Sequence, residues 1–146
     1  KREALCTVLE EDRPFMAIIF CRTKRRVEEL ADYLERQGYD CERLHSDIAQ
    51  NKRERIMKTF RKGDLQYLVA TDVAARGLDI SGVTHIYNYD LPETAEAYIH
   101  RIGRTGRAGE AGITCMFVTP KEEKALEALE EAIKRAIPRR KIGDRR

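Results

Sequence analysis

Between residues 98 and 112 the chain reads YIHRIGRTGRAGEAG. Arg-x-Gly occurs three times in succession, with Arg101, Arg104 and Arg107 each followed two positions later by glycine. Arginine carries a permanent, planar charge whose donors match phosphate oxygens two at a time. Glycines between the arginines remove steric cover and let the guanidinium groups converge. Residue types and spacing together point to an anion. His100, just before the run, can hydrogen-bond a neighbour at physiological pH. A second stretch, ATDVAARGLDI at residues 70–80, offers complementary chemistry. Thr71 supplies a hydroxyl suited to a phosphate oxygen, Gly77 permits close backbone approach, and Asp79 can accept hydrogen bonds from ribose hydroxyls. The same residues also fit a plain strand end, with an Asx-turn at Asp72 and a surface pair between Arg76 and Asp79.

Three chemistries fit the arginine–glycine run. One is a disordered RNA-binding segment, which the flanking helix and strand patterns oppose. Another is a turn with solvated arginines. The third is an arginine finger, stabilising charge on a transferring phosphoryl group. That role needs a phosphate cradle, yet the chain lacks Gly-x-x-x-x-Gly-Lys-Ser/Thr and has no carboxylate pair placed for Mg²⁺. A nucleotide served by these arginines must therefore be held mostly by another domain.

Apolar blocks of strand length alternate with helical patterns along the chain. FMAIIFC (residues 15–21) has the unbroken apolar character of a strand buried on both faces. Val27, Leu30, Ala31 and Leu34 then recur on one helical face, which Gly38 ends. Strands are expected at residues 40–44, 66–71, 83–90 and 112–119. A polar helix carrying Ile56, Met57 and Phe60 is expected to stop at Gly63. Thr94 can N-cap a helix running through Ile102. Pro120 opens a last helix whose apolar face runs from Ala125 to Ile137. This alternation predicts an α/β fold with a mostly parallel sheet and helices on both faces. Ligands in such folds sit at the carboxyl ends of the strands. There the sequence places Arg22 and Thr23, then Thr71 and Asp72, then Asp90.

Composition narrows the function class. A chain of 146 residues, 42% hydrophobic and 36% charged, suits one domain with one core. Net charge is +3, but residues 139–146 carry +4 of it, so the body holds 23 basic and 24 acidic residues. Nucleic-acid binding must then come from local placement. Residues 139–146 are read as a basic tail or linker after a domain at 1–138. The four cysteines lack Cys-x-x-Cys spacing and the three histidines are scattered, so no metal site is expected. Free cysteines suit a reducing, cytoplasmic setting. No apolar run is long enough for a bilayer, and no signal peptide is expected. Because residue 1 is lysine, a piece of a longer chain is expected.

AIIFCRT, LHSDIAQNKRER, LVATDVAARGLDI and YIHRIGRTGRAG stand in an order that resembles the C-terminal RecA-like domain of DEAD-box RNA helicases. The likeness spans roughly residues 4–137. It implies an ATP-dependent RNA helicase, with ATP and Mg²⁺ bound mainly by an N-terminal RecA-like domain of the same protein. Arg104 and Arg107 resemble the pair that reaches the ATP γ-phosphate, while Asp79 beside Gly77 resembles the ribose contact. Thr23, Ser46, Gln50, Arg53 and Thr71 match positions along the RNA backbone. Asp72, Arg76, His100 and Arg101 are similar to residues coupling the two domains. Ser46 departs from the glycine usual after the histidine, adding a Cβ and a hydroxyl at a close approach. Cys21 and Arg22 stand where asparagine commonly precedes the threonine. Partners implied are RNA, bound independently of sequence, and the N-terminal domain; no membrane is implied. A DNA-acting helicase and a non-enzymatic interaction module are the rival classes. RNA against DNA stimulation separates the first, and an upstream P-loop and Asp-Glu-Ala-Asp box the second.

Overall fold

The structure of the chain, a computed structural model, describes residues 1–76, 82–102 and 112–140. Five parallel strands form its sheet: β1 (Ala17–Cys21), β2 (Cys41–Leu44), β3 (Tyr67–Thr71), β4 (His85–Asn88) and β5 (Ile113–Met116). Their order across the sheet is β2-β3-β1-β4-β5. The helices are α1 (Arg2–Asp12), α2 (Lys24–Arg36), α3 (Gln50–Arg61), the short α4 (Asp72–Ala75), α5 (Ala95–Ile102) and α6 (Glu123–Ile133). The expected α/β class with helices on both faces is observed, and every strand pair is parallel.

Alternation along the strands explains the two cores. Ala17, Ile19, Cys21, Val69 and Tyr87 point to one face, under Leu5, Val8 and Leu9 of α1 and Val27, Leu30, Ala31 and Leu34 of α2. Ile18, Phe20, Leu68, Ala70 and Ile86 point to the other, under Ile56, Met57 and Phe60 of α3 and Ala74 and Ala75 of α4. Side chains two positions apart share a face, so these buried strands need apolar residues at every position.

Right-handed crossovers set which helix covers which face. The step from β1 out to β2 runs one way across the sheet. The steps from β2 to β3 and from β3 to β4 run the other way. Hence α2 lies on one face, and α3 and α4 on the opposite one. β1 is therefore flanked by a strand whose outgoing connection leaves to the opposite face. This is a topological switch point, where a crevice opens beyond the strand ends.

Several boundaries differ from the sequence expectation. Helix α1 was not expected; its signal is only the trio Leu5, Val8 and Leu9, all buried. Phe15 is 70% exposed and lies outside β1. Helix α6 ends at Ile133 rather than reaching Ile137, because Lys134 turns left-handed with φ 58°. The N–H of Ile137 is then taken by the Glu130 carboxylate at 2.7 Å. Arg139 pairs with Glu130 and Arg140 with Glu11, each at 3.0 Å. No described helix is long and apolar enough to cross a membrane.

Candidate nucleotide and RNA interface

Thr23 follows β1 and Thr71 ends β3, strands paired so that Cys21 lies opposite Thr71. Both threonines are helix N-caps. The Thr23 hydroxyl accepts the Arg26 N–H at 3.2 Å at the head of α2. The Thr71 hydroxyl accepts the Ala74 N–H at 3.3 Å at the head of α4. Threonine suits this position because its oxygen satisfies an N–H that has no partner inside the helix. Each hydroxyl keeps lone pairs and a proton for a further partner.

Helix α4 is only one turn long, and other elements hold it. The Arg101 guanidinium of α5 grips the Asp72 carboxylate with both arms, Nε to Oδ1 at 2.6 Å and Nη2 to Oδ2 at 2.7 Å. Its third nitrogen, Nη1, donates to Asn88 Oδ1 at 3.0 Å and to the Asp90 carbonyl at 2.7 Å. The guanidinium carbon lies 5.0 Å from the centre of the Phe20 ring. Arg101 is 2% exposed, so it acts inside the domain, as the link that holds α5 against α4 and β4. At the other end of α4, Arg53 of α3 donates Nη2 to the Ala74 carbonyl at 3.2 Å.

Arg76 and His100 are exposed and line one shallow hollow with Phe20, Asp72, Ala75, Ala97 and Arg101. Thr71, Asp72, Arg76, His100 and Arg101 thus come together around α4, with Arg53 behind. Thr23 stands one strand away. Ser46 and Gln50 lie further along the rim, exposed, after β2 and at the start of α3. Gln50 reaches Glu54 at 3.5 Å. Gly77, Asp79, Arg104 and Arg107 lie outside the described residues.

The loop that carries Ser46 is anchored by the residue before it. Asp47 donates its N–H to His45 Nδ1 at 3.2 Å, so that nitrogen accepts. His45 Nε2 stands 2.6 Å from Glu28 Oε2, where it is the donor because a carboxylate oxygen accepts. This hydrogen bond, with help from Arg43, holds the Glu28 carboxyl below its usual range. Arg43 also bonds Asp32 and Glu35, at 2.8 and 2.6 Å. Lys24 beside Thr23 meets Asp47 beside Ser46 at 3.0 Å, linking the two turns across the surface.

Asp90 was expected at a strand end without a stated role, and Asn88 was not expected in the site. Both are buried, Asn88 at 0% and Asp90 at 5% exposure. The trace in the sequence is a carboxamide and a carboxylate at the end of the strand pattern VTHIYNYD. Burial raises the Asp90 carboxyl, but hydrogen bonds from Arg26 and from the Arg22 N–H outweigh it and leave it below the ordinary 3.8. Its folded-state value is therefore depressed. The stability it contributes is fully present above the unfolded value and is lost as pH falls through the folded one. Denaturant titrations of the domain should show stability falling below about pH 4, with a shallower acid slope in Asp90→Asn. Equal slopes in the two proteins would contradict this assignment.

Parallel strands, crossovers on both faces and polar groups at the strand carboxyl ends define a RecA-like α/β domain. The pattern of the helicase conserved C-terminal domain matches residues 1–109. The chain is 52% identical over 141 residues to the DEAD-box ATP-dependent RNA helicase CshA of Bacillus subtilis, covering 97% of this chain and 28% of that protein. Its fold matches the E. coli DEAD-box protein SrmB, solved bound to regulator of ribonuclease activity A, with TM-score 0.89 and 37% identity over 97% of this chain and 83% of that one. It also matches S. cerevisiae Dbp5 bound to RNA and ADP BeF3, with TM-score 0.81 and 35% identity over 90% of this chain and 35% of that one. The chain belongs to the helicase conserved C-terminal domain family, as the C-terminal RecA-like domain of a DEAD-box protein. It spans 28% of the length of CshA.

Proposed function

We propose that this domain serves an ATP-dependent RNA helicase in two ways. It holds single-stranded RNA by its sugar–phosphate backbone, and it completes an ATP site on an N-terminal RecA-like domain. The observation that carries this is the switch point. Turns after β1 and β3 open side by side, each offering a threonine hydroxyl at a helix N-cap, next to the Arg101 link that positions α5. Thr23, Ser46, Gln50, Arg53 and Thr71 form the RNA rim. These are hydroxyls, an amide and a guanidinium, groups that position a backbone without reading bases. The exposed aromatic Phe15 sits before β1, at the opposite end of the strands from this rim.

Gly77 and Asp79 meet the ribose in this scheme, and Arg104 and Arg107 reach the γ-phosphate. Domain closure between the two ligands is assigned to Asp72, Arg76, His100 and Arg101: Arg76 and His100 face outward, while the buried Arg101 acts by gripping Asp72 and holding α4 and α5 in place. The sequence has no P-loop and no carboxylate pair placed for Mg²⁺. Mg²⁺ and most of the triphosphate are therefore assigned to the N-terminal domain. The Mg²⁺ neutralises charge on the phosphate oxygens when bound. What this chain adds is positive charge that arrives only when the two domains close, so turnover waits for both ligands. The Dbp5 relative was solved bound to RNA and ADP BeF3, which supports a domain that serves both kinds of ligand.

The test is ATP turnover measured in two proteins. The isolated domain is expected to hydrolyse no ATP. A chain joining it to its N-terminal domain is expected to turn over ATP with stimulation by single-stranded RNA and little by DNA. Turnover by the isolated domain would overturn the shared site. Equal stimulation by DNA would replace RNA with a general nucleic-acid track. No turnover in the joined chain would leave an interaction module.

A further inference from the structure

Residues 88–90 leave β4 at the switch point, and their polar groups face two directions. On one side the Asp90 carboxylate holds the turn that follows β1. Oδ2 accepts the Arg22 backbone N–H at 2.8 Å and Arg26 Nε at 2.8 Å. Oδ1 meets Arg26 Nη2 at 2.7 Å and Lys1 Nζ at 3.8 Å. The Arg22 side chain returns the grip, donating Nη2 to the Leu91 carbonyl at 2.9 Å. The turn is thus tied to the strand end in both directions, one residue before Thr23. On the other side the Asp90 carbonyl and Asn88 Oδ1 share Arg101 Nη1, while Asn88 Nδ2 donates to the Cys115 carbonyl of β5 at 3.0 Å.

We propose that Asp90 is a positioning residue that joins the two halves of the site: its carboxylate fixes the Thr23 turn and its carbonyl fixes Arg101, with Asn88 as the second anchor. This rests on the RNA and ATP roles assigned above. The physical case is economy of coupling. Thr23 and Arg101 are 78 residues apart in sequence, yet one buried residue bonds both the backbone beside the first and the side chain of the second. A displacement of the turn then displaces Arg101, the Asp72 carboxylate it grips, and α5. A merely space-filling role would not require a carboxylate, since apolar groups of similar volume are often as stable in such positions.

The test uses the two-domain protein and reads the RNA concentration that gives half-maximal ATPase stimulation. Misplacing a positioning element by ~1 Å can cost up to about 10²-fold, and the surviving bond from Arg22 to Leu91 limits the slip. Asp90→Ala is expected to raise the half-saturating RNA about tenfold. Asp90→Asn keeps an oxygen for the Arg22 N–H and is expected to recover to within about threefold of the parent. General destabilisation would instead lower the maximal rate by reducing the active fraction, leaving half-saturation in place. An unmoved half-saturation point in Asp90→Ala overturns the proposal. If Asp90→Ala does not fold, Asp90→Leu, which keeps the volume but offers no oxygen to the Arg22 N–H, takes its place, and an unmoved point there overturns the proposal. An unsubstituted protein without RNA-stimulated turnover defeats the functional reading itself, which is a separate result.

Discussion

Alanine at position 107 is expected to lower ATP turnover of the two-domain protein by about three to five orders of magnitude, the range an arginine finger contributes. RNA affinity should stay near that of the parent, because the proposed RNA rim at Thr23, Ser46, Gln50, Arg53 and Thr71 is left untouched. The size follows from where the charge acts. Negative charge spreads over the phosphoryl oxygens in the transition state, and a guanidinium aimed at it in a water-excluded site acts at low dielectric. Lysine at 107 is expected to rescue little, since an ammonium lacks the planar fork that meets two oxygens at once. Arg104→Ala should fall in the same direction. The segment that carries both residues follows α5, and α5 is fixed by the buried grip of Arg101 on Asp72, Asn88 and Asp90. Single-turnover kinetics at saturating ATP and RNA provide the measurement, and a rate within tenfold of the parent would remove the finger assignment.

The largest effect on stability is expected at Arg101. Truncation to alanine strips the donors from the Asp72 carboxylate, the Asn88 amide oxygen and the Asp90 carbonyl, and it opens a hole beside the Phe20 ring. Breaking a buried ion pair by deleting one partner costs about 3–5 kcal/mol, chiefly because the remaining groups lose their compensation. That is a large part of the ~5–15 kcal/mol that holds a domain of ordinary stability together. Asp72 is 30% exposed at its side chain, so water can relieve that end, while Asn88 at 0% has no such relief. Methionine at 101 would refill volume over Phe20 without supplying a donor, and an intermediate loss is expected. Urea unfolding of the domain reads this as a lower midpoint at unchanged slope. A loss below about 1 kcal/mol for Arg101→Ala would show that Arg101 behaves as a surface charge.

That Arg101 result marks the line between what was legible in the chain and what was not. Local spacing carried a great deal. FMAIIFC and QYLVAT read as buried strands because every position is apolar or nearly so, and Val27, Leu30, Ala31 and Leu34 read as one helix face. Both periods are short-range properties of the backbone, visible in any window of about ten residues. The α/β class and the polar strand ends followed from them, and the four motif stretches led to the family. Thr94 was read as a helix cap, and its hydroxyl does accept the Ala97 N–H at 3.0 Å.

Weaker local signals failed. Helix α1 buries only Leu5, Val8 and Leu9 fully, with Ala4 and Cys6 beside them, and its ends are charged, so the pattern is too short to stand out. The end of α6 depends on a left-handed Lys134 that no residue type announces. The site was legible by residue type but not by partner. The repeat of Arg-x-Gly presents Arg101 as the first of three equivalent cations, yet Arg101 is spent entirely inside the domain.

Residue types and short-range periodicity, then, determined the elements, the α/β class and the identity of the motifs. Tertiary structure decided the strand order β2-β3-β1-β4-β5, and with it which distant side chains meet. Only that order sets the turn after β1 between the ends of β3 and β4, so that Asp90 reaches the Arg22 N–H and Arg101 reaches Asp72. Pairing between strands is fixed by the packing of whole faces over long loops, and no local window of sequence contains that information.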